Sequence, residues 1–480
     1  MNNRILARPQ HHKVVSLDNN AIQTVINSDS FKICAFFAGH MLLAASMVWV
    51  RDIATAHALV TLGVGLWWAV ISNNSERVAY IVAYITGAEV LWRMAQAQVF
   101  WEFGKYSVVI ILLVSVLRLG QFRGSVLPLL YFALLLPSTV MPMANTSTED
   151  LRAHLSFNLS GPLALMLCVW YFSRTRLSAM SIKSTLLILI APITGVGTFA
   201  LLSVITSPAI RFNSESNYMT SGGFGPNQVS AALGLGALAI FIYLLVEKRS
   251  WWLKALLFVA MAVMAAQSAL TFSRTGLYNA GISAIAATFY LARDGRSRLK
   301  ILGIIAIGFL VANYLLLPKL DEFTGGALLA RFRNTSLTGR DTIIKADLQI
   351  WSDNPVFGVG PGQATTLRAE SYRESSAHTE FSRLVAEHGV FGFLAFLLLI
   401  FIGFQNLRRE SALHNKAVIV ALTCWSFGFM MVTAMRLVAP AVLLGLGAVT
   451  LLLDHNQALA NNETDGHQQM SQERYTPFQR

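Results

Sequence analysis

A chain this apolar has few polar side chains able to do chemistry, and most of them stand at the edges of apolar runs. Arg274 lies in TFSRTGLYNAG, a tight hinge between two such runs. Arg211 precedes the turn YMTSGGFGPNQ, Arg340 opens TGRDTIIKADLQIW, and Arg436 stands alone between the last two runs. A guanidinium at a membrane boundary is costly unless paired, so Arg274 reads as a functional cation or as a snorkelling helix-end arginine. Arg436 fits the snorkelling description better. His378, in SSAHTEF, is the one histidine of a hydrophilic stretch that runs from Pro318 to Arg383. If Ser375 or Ser376 caps the helix that follows, His378 falls in its first turn, where the positive helix end favours neutral imidazole. A neutral histidine at a water–membrane boundary suits a general base, with a structural role as the alternative. His388, deeper in the same run, reads as packing. Asn227 follows Pro226 after three glycines, at a helix start that makes either an anion or polar-group site or an ordinary turn.

These residues must be positioned by membrane helices. The 480 residues are 54% hydrophobic and only 13% charged, against about 25% charged for a soluble domain. A bilayer core takes about 20 apolar residues per helix. Candidate spans fall near 32–50, 56–72, 77–92, 105–118, 126–141, 156–172, 184–205, 228–246, 252–271, 276–292, 300–317, 385–404, 416–434 and 437–453. The shortest (77–92, 105–118 and 126–141) are re-entrant candidates. The expected fold is therefore all-α, a polytopic integral membrane protein with 12–14 transmembrane helices. Strands are excluded because the runs are too long and unalternating for a barrel. Alternate hinges are rich in Lys and Arg (Arg174, Arg176 and Lys183; Arg408, Arg409 and Lys416, for example), which places them on the cytoplasmic side. The formal net charge of +12 then reflects membrane topology and calls for no nucleic acid.

This divides the chain into a cytoplasmic tail (1–31), a transmembrane bundle (32–317), a large periplasmic loop (318–383), C-terminal transmembrane helices (384–453) and a cytoplasmic polar tail (454–480). Within the loop, Ile343, Asp347, Ile350 and Trp351 share two turns of an amphipathic helix that can lie on the membrane surface and stops before Asn354-Pro355. Gly358, Gly360 and Gly362 make a bend able to approach a ligand closely. It follows no strand, so it does not read as a nucleotide site. Cys34, Cys168 and Cys424 lie in apolar runs without metal-ligand spacing, so neither disulfide nor metal is expected.

In their order these pieces resemble the bacterial O-antigen ligase and O-antigen polymerase superfamily. The matching stretches are GGFGPNQ at 222–228, SRTG at 273–276, Gly339-Arg340 with Trp351, NPVFGVGPG at 354–362, AHTEF at 377–381 and EHGVFG at 387–392. Thr379 departs from the family, whose members often carry Asn or Ser there. The resemblance implies a GT-C-like fold in the inner membrane and metal-independent, inverting glycosyl transfer at the periplasmic face, without a cofactor. The donor would be a glycan on undecaprenyl diphosphate, and the acceptor lipid A–core or a growing glycan. His378 would take the proton from the attacking hydroxyl, Arg274 and Arg340 would grip the diphosphate, and Arg211 and Asn227 would contact donor or acceptor. A polysaccharide polymerase, a protein O-oligosaccharyltransferase and a lipid or polysaccharide transporter stand as alternatives. No duplicated half of the kind transporters show is visible.

Overall fold

The computed structural model describes residues 29–72, 74–120, 125–144, 148–207, 209–213, 215–246, 251–334, 340–371, 379–409 and 412–452. Peptide groups in hydrocarbon must be bonded within their own segment, and the apolar runs accordingly form helices. The first half holds α1 (Asp29–Trp49), α2 (Arg51–Ile71), α3 (Ser75–Met94), α4 (Phe103–Leu119), α5 (Leu127–Ala133), α6 (Thr148–Phe172) and α7 (Ala179–Thr206). Then come α8 (Pro226–Val246), α9 (Trp251–Leu270), α10 (Thr275–Leu291), α11 (Gly295–Leu310) and α12 (Leu317–Phe323). The hydrophilic segment contributes α13 (Ala327–Arg333), α14 (Arg340–Asp353) and α15 (Gln363–Ser371). The chain closes with α16 (Glu380–Arg409), α17 (Leu413–Val432) and α18 (Ala439–Leu446).

Among the described residues, nine helices are long and apolar enough to cross a membrane. The molecule is an all-α polytopic membrane protein. Three further helices, α3, α4 and α10, are 20, 17 and 17 residues long, close to bilayer thickness at about 1.5 Å per residue. α3 is largely buried although it carries Glu76, Arg77, Glu89 and Arg93. Two expected runs are broken. Residues 126–141 form the short α5 and a 3₁₀ segment, Pro137–Ala144, because Pro137 and Pro142 cannot continue an α-helix. Residues 437–453 split into α18 and a strand, β2 (Thr450–Leu452), which pairs in parallel with β1 (Arg176–Ser178). The run expected at 300–317 instead continues past Pro318. It winds from α11 through a π-helical turn, Val311–Leu316, into α12. Pro318 falls in the first turn of α12, where a missing amide costs least.

The centre of the bundle is α8, apolar on all sides and 94% buried along its most apolar window, as a helix without a polar face must be. The α11–α12 rod is 6% buried and turns its apolar side chains outward to lipid. Close packing depends on glycines. A Cβ on Gly87 of α3 would collide with the Leu189 carbonyl of α7, and one on Gly276 of α10 with the Ser230 carbonyl of α8.

α14 is the amphipathic helix expected from the sequence. It buries Ile343, Ala346 and Asp347 against α16, and Trp351 stacks 6.0 Å from Phe393. It therefore lies against the flank of a span, where the sequence suggested the membrane surface. The reason is Asp347, which has partners on α15 and α16 and draws the helix inward.

Gly276→Ala should lower the melting temperature in detergent by several degrees, reflecting about 1–3 kcal/mol of overpacking. Gly281→Ala, on the same helix with no heavy atom within 4 Å of the added carbon, should leave it unchanged.

Candidate functional site

The SRTG hinge between α9 and α10 is tied residue by residue to different elements. The Thr271 carbonyl accepts the Asn217 amide at 2.9 Å. The Phe272 carbonyl accepts the Arg331 Nε of α13 at 3.1 Å. Ser273 Oγ donates to Asn227 Oδ1 at 2.7 Å, Arg274 Nη1 donates to the Asn334 carbonyl, and the Gly276 amide donates to Ser230 Oγ at 3.1 Å. Phe272 has φ of 59°, a left-handed conformation that costs an aromatic residue about 1–2 kcal/mol. Its ring holds it there, stacked 5.5 Å from Phe212 and packed against Leu328. The hinge is thus clamped from above by α13.

α13 also brings a cation that belongs to none of the motifs read from the sequence. Arg331 is buried, and burial together with the neighbouring Arg274 guanidinium pushes its pKa below the ordinary value, while Glu215 draws it back up. Two like charges held together disfavour each other unless an anion lies between them. The hinge therefore gathers two cations, with Glu215 as a nearby countercharge.

The other expected site residues fall as follows. Asn227 gives its side-chain oxygen to Ser273 and so positions the hinge. Arg211 is exposed beside it, and its carbonyl accepts Asn217 Nδ2 at 3.0 Å. Arg340 is half-buried at the first residue of α14, six positions beyond Asn334. That chain length allows at most about 20 Å of separation. His378 lies outside the described residues. The residue after it is Thr379, whose Oγ1 accepts the Ser382 amide at 2.9 Å, the geometry of an N-cap for α16.

Ser382 continues the connection. Its hydroxyl donates to Asp347 at 2.6 Å, and Asp347 also takes Arg368 of α15 in a fully buried ion pair. Burial raises the Asp347 pKa above the ordinary carboxylate value, with Arg368 and Ser382 drawing it back. One carboxylate thus joins the helix that begins at Arg340 to the start of the helix that follows His378.

The glycine-rich bend has a different partner from the one the sequence suggested. α16 is interrupted at Gly389 (φ 59°, ψ −137°), and the bend supplies the missing hydrogen bonds. The Val390 amide donates to the Pro355 carbonyl at 2.8 Å, and the Val359 and Gly360 amides donate to the Ala386 and Glu387 carbonyls at 3.1 and 2.9 Å. A Cβ on Gly358 or on Gly389 would strike the opposite backbone. The close approach expected of these glycines is to a broken helix, and NPVFGVGPG and EHGVFG form one structural unit.

Several buried charges escaped the sequence reading. Arg383 pairs with Glu380 at 2.5 Å and Glu387 at 2.7 Å, and Glu380 accepts the Met435 amide at 3.0 Å. Arg93 pairs with Glu89 at 2.7 Å and donates to Gln228 and to the Arg436 carbonyl. Ionisable residues inside apolar runs were the available signal, since each marks a polar partner in the interior. Among the described residues, no cluster of three or more His, Cys, Asp or Glu is arranged to hold a metal ion.

Asp347→Ala should cost about 3–5 kcal/mol by stranding Arg368. The double variant Asp347→Leu with Arg368→Met should unfold at a higher temperature than either single variant, as read by thermal denaturation in detergent.

No curated protein matches the chain. Residues 260–397 match the family model described as O-Antigen ligase. That segment starts in α9, contains the Arg274 hinge and the whole hydrophilic loop, and ends within α16 beyond its break. By this match residues 260–397 are similar to the O-antigen ligase family, in agreement with the resemblance read from the motifs.

Proposed function

We propose that the protein is an O-antigen ligase-like glycosyltransferase. It moves a glycan from undecaprenyl diphosphate to a hydroxyl of lipid A–core at the periplasmic face of the inner membrane. The observation that carries this reading is the hinge that bears Arg274 and is bonded by Arg331 through the Phe272 carbonyl, inside the O-antigen ligase match. The lysine- and arginine-rich hinges support the sidedness, because they lie at the opposite end of the spans from the loop.

The chemistry follows from the donor. The acceptor oxygen forms a bond to the anomeric carbon as the bond from that carbon to the diphosphate oxygen breaks, with inversion. The electron pair leaves on the diphosphate, and the acceptor proton passes to His378. Negative charge develops at an oxygen near the membrane surface, where fixed guanidiniums stabilise it better than reorienting water. Arg274 and Arg340 hold the diphosphate in this scheme, and Arg331 adds a third cation from α13. Asn227 keeps the hinge in register, and Arg211 guides the donor from the rim. No metal is required, because the arginines supply the positive charge. The linkage already carries the driving free energy, so no nucleotide is required on this side.

His378→Ala should lower transfer from a purified lipid-linked donor by about 10²–10⁴-fold, with expression and membrane insertion unchanged. Near-wild-type transfer would remove His378 from the reaction. Arg274→Lys should also fail, because a lysine cannot reproduce bidentate phosphate contact. Full activity there would make Arg274 a snorkelling residue. In a deletion strain, loss of all O-chain with lipid-linked polymer accumulating supports ligation, whereas core bearing a single repeat supports polymerisation.

A further inference from the structure

Away from the hinge, a groove of about 1410 Å³ opens between the start of α4 and α6, roofed by Gly362 and Thr365 of the hydrophilic loop. A second cavity of about 310 Å³ adjoins it. Phe100 and Trp101 border both, and they are 56% and 46% exposed. Trp101 is nevertheless fixed. The Arg93 guanidinium lies 4.8 Å from its ring centre and donates to its carbonyl at 3.1 Å, and the Phe224 ring packs 5.9 Å away. Glu102 and Asn158 add hydrogen-bonding groups to the lining. A rigid, half-open aromatic platform beside a carboxylate and an amide is suited to sugars, whose C–H faces stack on rings while their hydroxyls find polar partners. Farther along, Ile110 and Phe157 make the lining apolar, each 41% exposed. The groove therefore fits an amphiphile with a saccharide head.

Its position separates it from the hinge. The hinge is built from α8, α9, α10 and α13, and the groove from α4, α6 and α15. Asn158, in the groove wall, accepts Arg383 of α16 through its carbonyl at 3.4 Å, so the wall touches the first turns of the helix that follows His378. The turn at 222–228 reaches both places: Phe224 packs on Trp101, Asn227 holds Ser273, and Gln228 accepts Arg93. The hinge gathers two guanidiniums, whereas the charged lining of the groove is mixed, with Glu102 and Glu149 against Arg152.

We propose that this groove binds the saccharide of the lipid-linked acceptor, stacked on Phe100 and Trp101. This rests on the glycosyltransferase reading above. The acceptor sugar can belong to lipid A–core or to a growing glycan on a polyprenyl diphosphate, and both present the same stacking face.

The test uses the full-length protein in nanodiscs, titrated with three probes: rough lipopolysaccharide lacking O-chain, an undecaprenyl-diphosphate-linked single repeat, and sugar-free undecaprenyl diphosphate. Trp101→Ala should weaken one saccharide probe by at least about tenfold, Trp101→Phe by less, and neither should change affinity for the sugar-free lipid. Loss of rough lipopolysaccharide binding identifies a ligase acceptor, and loss of the single repeat a polymerase acceptor. Unchanged saccharide affinity in Trp101→Ala overturns the proposal, as does equal weakening of the sugar-free lipid. Wild-type protein that binds none of the probes overturns the glycosyltransferase reading itself. Wild-type protein that transfers glycan while Trp101→Ala matches it in affinity and acceptor KM overturns the groove alone.

Discussion

Most of the architecture depends on two buried carboxylates that accept backbone amides. The segment 433–438 between α17 and α18 is non-helical, and the amides of Met435 and Val438 find their partners on other elements. Glu89 takes the Val438 amide at 2.7 Å and Glu380 takes the Met435 amide at 3.0 Å. Each acid is balanced by an arginine on its own helix, Arg93 and Arg383. A buried ion pair adds little net stability over apolar packing, but removing one partner costs several kcal/mol. These pairs are better understood as placing elements than as strengthening them. They set α3 and α16 against the same unwound segment, and so fix where the hydrophilic loop re-enters the bundle.

The same rule governs the other interruptions. At the hinge, the carbonyls of Thr271 and Phe272 are taken by Asn217 and Arg331. At Gly389 the break in α16 is filled by the loop's glycine bend. Irregular backbone persists at membrane depth only where protein satisfies it, and the hinge held in this way is the one that carries Arg274.

How much of this was legible in the sequence follows from the kind of interaction involved. Apolar runs and charge bias have one-dimensional signatures, so the helices and the hinge that carries Arg274 were readable. The amphipathic helix was readable in its bounds but not in its docking, because Asp347 looked like one more polar residue until Arg368 and Ser382 were seen beside it. The bend's partner was not readable. Backbone-to-backbone hydrogen bonds leave no complementary side chains in the sequence, only glycines on both sides. Arg331 was hidden by number, one of many loop charges, and only the fold of α13 distinguishes it.

The union of the bend with the helix break also bears on how such proteins can be recombined. The hydrogen bonds of the contact are made by main chain, with Phe357 stacked 5.5 Å from Phe391 and Val356 left 52% exposed. Residue identity at Val356 is therefore free to drift while the stitching stays fixed. A loop transplanted from a relative would arrive without the interruption it was shaped to fill unless the graft also carried the host helix past Gly389. The exchangeable module is not the loop between two spans but the loop together with the first three turns of the span that receives it.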